Sequence, residues 1–397
     1  MKILIVAISS SVHTSRWINQ LKNTGFEIFF FPSTYDLAIN DDTLWVKPCV
    51  PFFKTHTWIG KHIFKNEDRY YYQGVHQILG KINANYQSKR LNKYINKIKP
   101  DLIHSLETQA AGYLVADVKN TYFQNQKFPL WWHSNWGSDI YLFERIPAHQ
   151  DKIKQVLENC DYYSCECFRD IELAIKNGFK GKLLPVYPNT GGFDLEQIKK
   201  IKEQSVKPSQ RRIILLKGYQ GWAGRALVGF RALERCADVL KGYEIYIHSN
   251  TNAKDIQIAA SLFTHSTNIP VTLVPEGTPH QQILELQSRA RISIGLSISD
   301  GISTSLLEAM AMGAFPIQSG TACAEEWFEN HVSGIIVPPE DPEIIEQAIR
   351  RAISDDELVD KAYDINLTTI AQKADNKVLQ QQTINIYQDI LNRAYEK

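Results

Sequence analysis

The stretch ISIGLSISDGISTSLLEAMAMGAFPIQSG, residues 292–320, decides how this chain is read. Its opening is apolar, small and β-rich, as in a buried parallel strand, and the strand is expected to end near Ser297. Asp300 and Gly301 form a loop, and a helix is expected from about Ser303 to Gly313, where a C′ glycine belongs. Such a strand–loop–helix unit presents the free amides of Ser303, Thr304, Ser305 and Leu306, with Gly301 and Ile302 leading into them. An anion such as a diphosphate fits there, favoured by the helix dipole. Glu308 lies a turn further in, where its carboxylate suits the 2′- and 3′-hydroxyls of a ribose. A second reading stands beside this one. Ser305, Leu306, Leu307 and Glu308 spell a capping box, in which Glu308 satisfies only a backbone amide.

Outward from this segment, short apolar runs alternate with amphipathic stretches along the chain. Strands are expected near 2–8, 26–31, 101–106, 129–134, 161–165 and 182–187, with helical patterns near 14–23, 70–98, 108–119 and 168–177. After the polar segment around Lys207–Gln210 the pattern restarts, with strands near 212–217, 243–248, 270–274, 291–296, 314–317 and 334–337. Helical patterns there fall near 223–241, 253–263, 280–289, 303–312, 323–330 and 341–353. This βαβ rhythm predicts an α/β chain with two doubly wound, Rossmann-like domains. The length of 397 residues agrees, at roughly 150–200 residues per domain. The expected divisions are 1–205, 206–375 and a C-terminal helix at 376–397 that crosses back to the first domain.

Open α/β sheets bind ligands beyond the carboxyl ends of their strands. The polar segments that follow the expected strands are Ser9–Arg16, with Ser10 among them, His104–Gln109, His133–Asp139, Lys217–Arg225, Ser249–Asn252, Glu276–His280 and Ser297–Ser305. Both halves contribute, which suits a two-substrate transfer better than a one-ligand switch.

Composition narrows the class. With 44% hydrophobic and 22% charged residues, the chain is neither disordered nor a coiled coil, and no run reaches the 18 apolar residues of a membrane span. MKILIVAI is followed at once by Ser9, Ser10 and Ser11, so it reads as a first strand rather than a signal peptide, and a cytoplasmic protein is expected. The six cysteines show no CxxC spacing, and no metal site is expected. Net charge is +1, yet residues 1–200 hold 25 Lys and Arg against 19 Asp and Glu. Residues 47–99 alone carry eleven cations against Glu67 and Asp68, interleaved with aromatics such as Phe52, Trp58 and Tyr70. A solvated helical face and peripheral contact with an anionic membrane on its inner face are the two main readings, and nucleic acid is disfavoured.

The segment from Asp300 to Ile349 resembles the donor-binding half of family 4 glycosyltransferases of the GT-B fold, which include enzymes of bacterial polysaccharide and lipopolysaccharide biosynthesis. In that family an acidic pair with seven residues between its members precedes a Gly-ended helix, a strand and a G-hydrophobic-LV-P-P-x-D segment. Here the pair is Asp300 and Glu308, with Asp where the family usually has Glu. VHTSRW (12–17), PDLIHSLETQAAGYL (100–114), HSNWGSDIYLF (133–143) and YPNTGGFDLEQI (187–198) are similar to further family segments. The resemblance covers most of the chain and is weakest over 40–100.

The resemblance implies two Rossmann-like domains facing across a cleft, the first for the acceptor and the second for a nucleotide diphosphate sugar, with UDP or GDP favoured. It implies retention of anomeric configuration, no metal and no cofactor, and a carbohydrate or lipid-linked carbohydrate acceptor. Lys217 and Arg225, within LLKGYQGWAGRAL (215–227), match the cations that hold the diphosphate. The macrodipole opposes a cation at a helix start, so Arg225 calls for an anionic partner, either the diphosphate or a surface carboxylate. Asp300 would orient the donor sugar and Glu308 the ribose, with Ser10 and Glu276 contributing to donor binding. The family's histidine position holds Trp136, so His133 is the substitute catalytic candidate, a core histidine being the other reading. Asp139 either caps the following helix or orients Trp136. A silent nucleotide-sugar-binding partner subunit and a nucleotide-sugar epimerase are the alternatives within this fold.

Overall fold

The computed structural model describes residues 1–35, 43–48, 77–203, 205–250 and 253–395. Most of the basic, aromatic stretch singled out above, 49–76, lies outside them. The chain divides into two compact units, Met1–Gly191 with Lys377–Lys397, and Gly192–Asn376.

The first unit is built on a parallel sheet. Its strands are β1 (Lys2–Ala7), β2 (Glu27–Pro32), β3 (Lys47–Pro48), β4 (Leu102–Leu106), β5 (Leu130–Ser134), β6 (Tyr162–Ser164) and β7 (Lys182–Leu183), in the order β3-β2-β1-β4-β5-β6-β7. Ile3 to Ala7 are all fully buried, as a strand covered on both faces requires. Helices Val12–Asn19, Tyr86–Ile98, Tyr113–Tyr122, Pro147–Asn159 and Phe168–Lys176 connect the strands. The C-terminal helix Asn376–Tyr395 also packs here. Its Tyr387, fully buried, accepts a hydrogen bond from Trp17 Nε1 at 3.0 Å.

The second unit holds β8 (Ile213–Lys217), β9 (Glu244–His248), β10 (Val271–Leu273), β11 (Ala290–Gly295), β12 (Phe315–Ser319) and β13 (Ile335–Val337), in the order β10-β9-β8-β11-β12-β13, every pair parallel. The order reverses between β8 and β11, which makes their carboxyl ends the switch point where such sheets bind ligands. The division between units falls at Gly191 and Gly192, before the expected 205. Helix Leu195–Lys202 packs against helix His280–Arg289 of the second unit. Phe193 and Asp375 pair in a parallel bridge, with Phe193 N–H donating to Ala374 O at 2.8 Å, so the chain enters and leaves this unit side by side. The helix expected at 323–330 is absent. Cys323 adopts a left-handed φ of 47°, leaving two short 3-10 turns, Gly320–Ala322 and Ala324–Glu326.

Candidate functional site

In the second unit, the loops after β8 and β11 are zipped together by main-chain bonds. Arg225 N–H donates to Leu296 O at 3.0 Å and Ile298 N–H to Ala223 O at 2.9 Å. Gly224 lets the loop after β8 fold back on itself, since a Cβ there would clash with Tyr219 O. Lys217, at the end of β8, sends Nζ to Ser303 Oγ at 3.4 Å and holds it 5.6 Å from the centre of the Tyr219 ring. Burial pushes the Tyr219 phenol up in pKa; nearby Asp300 adds to the shift and Arg225 opposes it. Asp300 Oδ1 accepts the N–H of Gly301 at 3.0 Å.

Helix Thr304–Met312 starts here, with Ser303 at the N-cap and Gly313 closing it at φ 80°. The Ser303 side chain does not cap the helix, being the group that Lys217 reaches. Thr304 and Ser305 offer amides with no acceptor among the described residues, whereas Leu306 N–H is already bonded to Ser303 O at 2.9 Å. The expected four-amide cradle is therefore narrower, because Leu306 belongs to the first closed turn. Ile302 is a buried apolar residue.

Glu308 is not the acid of a capping box, for the cap is two residues earlier than that reading needs. Its carboxylate is 8% exposed, and Oε1 accepts from His280 Nε2 at 2.7 Å. His280 starts helix His280–Arg289, 28 residues away in sequence, and is itself half exposed. Glu276, in the exposed turn before that helix, makes no hydrogen bond or ion pair among the described residues. Arg225 sits at the N-cap of helix Ala226–Arg235 rather than in its first turn. Its Nε donates to Glu340 Oε1 at 2.7 Å, so the surface carboxylate is its partner in this structure.

Sequence reasoning missed His248 beside this cluster, although the segment Ser249–Asn252 was singled out. His248 ends β9 in register with Lys217, is buried, and is held neutral by burial, with a pKa lowered to about 4; the Glu308 charge opposes that shift and Lys217 adds to it.

In the first unit, His133, the substitute catalytic candidate, lies in the core. The ring is fully buried, its Nδ1 lies 2.9 Å from Ser105 Oγ and its Nε2 3.1 Å from Thr108 Oγ1. Burial lowers its pKa to about 3, which favours the neutral ring. His104 is likewise buried, between Tyr387 Oη at 2.5 Å and Ser134 Oγ at 2.8 Å. Asp139 accepts Trp136 N–H at 2.8 Å and Thr108 N–H at 3.0 Å. Burial first, and the Glu107 charge after it, push the Asp139 carboxyl up to about 7. Ser10 is exposed in the turn after β1, and the His13 ring lies 5.5 Å from that of Trp136.

Residues 264–366 match the family model for glycosyl transferases group 1. No curated protein sequence matches the chain. Among solved structures, sucrose-phosphate synthase of Thermosynechococcus elongatus is similar over 99% of this chain and 100% of its own, at 14% identity and a TM-score of 0.71. HepE of Anabaena, in complex with UDP-glucose, is similar over 98% and 100%, at 15% identity and 0.68. An α,α-trehalose 6-phosphate synthase of Burkholderia multivorans is similar over 100% and 99%, at 11% identity and 0.68. The chain thus has the GT-B fold, and its second unit carries the group 1 glycosyltransferase segment.

Proposed function

We propose that this chain is a glycosyltransferase that moves a sugar from a nucleotide diphosphate donor to a carbohydrate or lipid-linked carbohydrate acceptor, with retention of configuration and without a metal. The observation that carries this reading is the convergence, at the switch point of the second sheet, of Lys217 Nζ on Ser303 Oγ, the open amides of Thr304 and Ser305, and the sequestered Glu308 carboxylate. A cation and a helix N-terminus suit a diphosphate, and a carboxylate one turn further in suits a ribose diol.

In the proposed reaction the bond between the anomeric carbon and the diphosphate oxygen breaks, its electron pair leaving on the phosphate. The acceptor oxygen bonds the same carbon, and its proton passes to the departing phosphate oxygen. Lys217 and the amides of Thr304 and Ser305 take up the charge that develops on the leaving group, the largest electrostatic demand of such a transfer. Arg225 joins them by exchanging Glu340 for the phosphate. These cations supply the positive charge that a divalent ion would otherwise bring. Asp300 would orient the donor sugar. HepE binds UDP-glucose, which supports testing uridine donors first.

Lys89, Lys93 and Lys97 form an exposed stripe on helix Tyr86–Ile98, with no ion-pair partner among the described residues. They support peripheral contact with an anionic membrane, which would bring the chain to a lipid-linked acceptor. Among the described residues no helix is long and apolar enough to cross a membrane. The test of the transfer reading is proton NMR of the product formed from an α-linked donor. An α-anomeric signal is expected, and a β product would overturn retention.

A further inference from the structure

His248 is 1% exposed, and its Nε2 is buried without a hydrogen-bond partner among the described residues. A buried polar atom left unbonded is costly enough to call for an explanation. The histidine is held firmly: Gly218 N–H donates to its carbonyl at 2.6 Å, and its Nδ1 lies 3.1 Å from Ser249 Oγ. Ser249, at a left-handed φ of 57°, can donate its hydroxyl proton to Nδ1, which leaves the ring proton on Nε2 as a free donor. In the β8–β9 ladder His248 is directly beside Lys217, so both side chains leave the same face of the sheet. That face leads to Ser303 and the helix that carries Glu308, whose charge acts on the ring.

Glu308 meanwhile has a competitor. In this structure its Oε1 accepts from His280 Nε2, from a half-exposed position on another helix. A ribose diol that takes this carboxylate must share it with His280 or displace it.

We infer that His248 is the positioning residue for Glu308: when the donor nucleotide displaces His280, the carboxylate turns to the buried Nε2–H of His248, which fixes it for the ribose. The inference rests on the donor-site reading given above. Glu308 then has two imidazole partners with opposite effects on donor affinity, an exposed one that competes and a buried one that supports. The buried Nε2–H of His248 is then satisfied by that carboxylate.

The test is isothermal titration of the full chain with UDP, and with GDP as a second probe, on the unaltered protein and on His248→Phe, His248→Gln and His280→Ala, alongside melting of each ligand-free protein. The expected result is about tenfold weaker binding by His248→Phe, with a melting temperature equal to or above that of the unaltered protein because an unbonded polar atom has been replaced by an apolar ring. His248→Gln, which keeps a donor, is expected within about threefold of the unaltered affinity, and His280→Ala at equal or tighter affinity. Nucleotide binding by the unaltered protein with unchanged affinity in His248→Phe overturns the inference alone. No binding of either nucleotide by the unaltered protein overturns the donor-site reading and this inference with it.

Discussion

Replacing Glu308 by Ala separates its two sequence readings, because the consequences differ in kind. A cap residue contributes about 1 kcal/mol to stability and nothing to ligand affinity. The structure removes the cap, since Ser303 begins the helix and Glu308 is bonded instead to His280. A carboxylate that accepts two ribose hydroxyls contributes about 1.5–3 kcal/mol per charge-assisted bond. Exchange of the His280 contact and of ribose hydration offsets part of that sum, leaving a net loss of about 2 kcal/mol, or roughly thirtyfold in Kd. The assay is calorimetric titration with UDP and with 2′-deoxy-UDP, on the unaltered protein and on Glu308→Ala. The unaltered protein should prefer UDP by about fivefold, one hydroxyl bond's share, and Glu308→Ala should not discriminate between them. An equal preference in both proteins would refute the ribose role, whatever happened to stability.

Three further outcomes follow from particular contacts. Arg225→Ala should slow turnover more than it weakens donor binding, while stability changes by less than about 1 kcal/mol, because its pair with Glu340 lies at the surface; unchanged turnover in a steady-state assay removes Arg225 from the site. His248 has a folded-state pKa depressed to about 4 by burial, so in the unfolded chain it takes up a proton below about 6.5 that the folded chain refuses. Its share of stability is therefore present above that pH and lost as pH falls, so the stability of His248→Phe relative to the unaltered protein should rise by about 1.3 kcal/mol from pH 7.5 to 5.5 in denaturant titrations. A pH-independent difference would show that the ring is not held neutral. Tyr387→Phe leaves Trp17 Nε1 and His104 Nδ1 without their buried partner and should destabilise the first unit by about 2–3 kcal/mol; a loss under about 0.5 kcal/mol in the same titrations would mean that the C-terminal helix is not held by this contact.

The strands were legible where burial writes a continuous apolar run, as in Ile3–Ala7 and at the core of β11, and the end of the helix was legible in Gly313. The two-residue edge strand β3 has no such run, and the break at Cys323 depends on a left-handed residue that no pattern announces. Lys217, Thr304, Ser305 and Glu308 were readable from order along the chain, because a strand followed by a helix fixes which groups gather at its carboxyl end. Their partners were not. His280 joins Glu308 from 28 residues away, and Glu340 joins Arg225 from 115 residues away, distances over which periodicity carries no information. His133 illustrates the converse: beside Trp131 and Trp132 its burial was legible, and its hydroxyl partners Ser105 and Thr108 complete the core reading.

The central claim is a metal-independent nucleotide-sugar site in the second unit. Its most direct test is a thermal-shift panel of UDP, GDP, ADP, CMP and dTDP and their sugars on the full chain, with and without EDTA, repeated on Glu308→Ala and Lys217→Ala. The account predicts a selective shift with one nucleotide that survives EDTA and is lost or reduced in both variants. No shift with any nucleotide, or a shift that both variants retain in full, would contradict it.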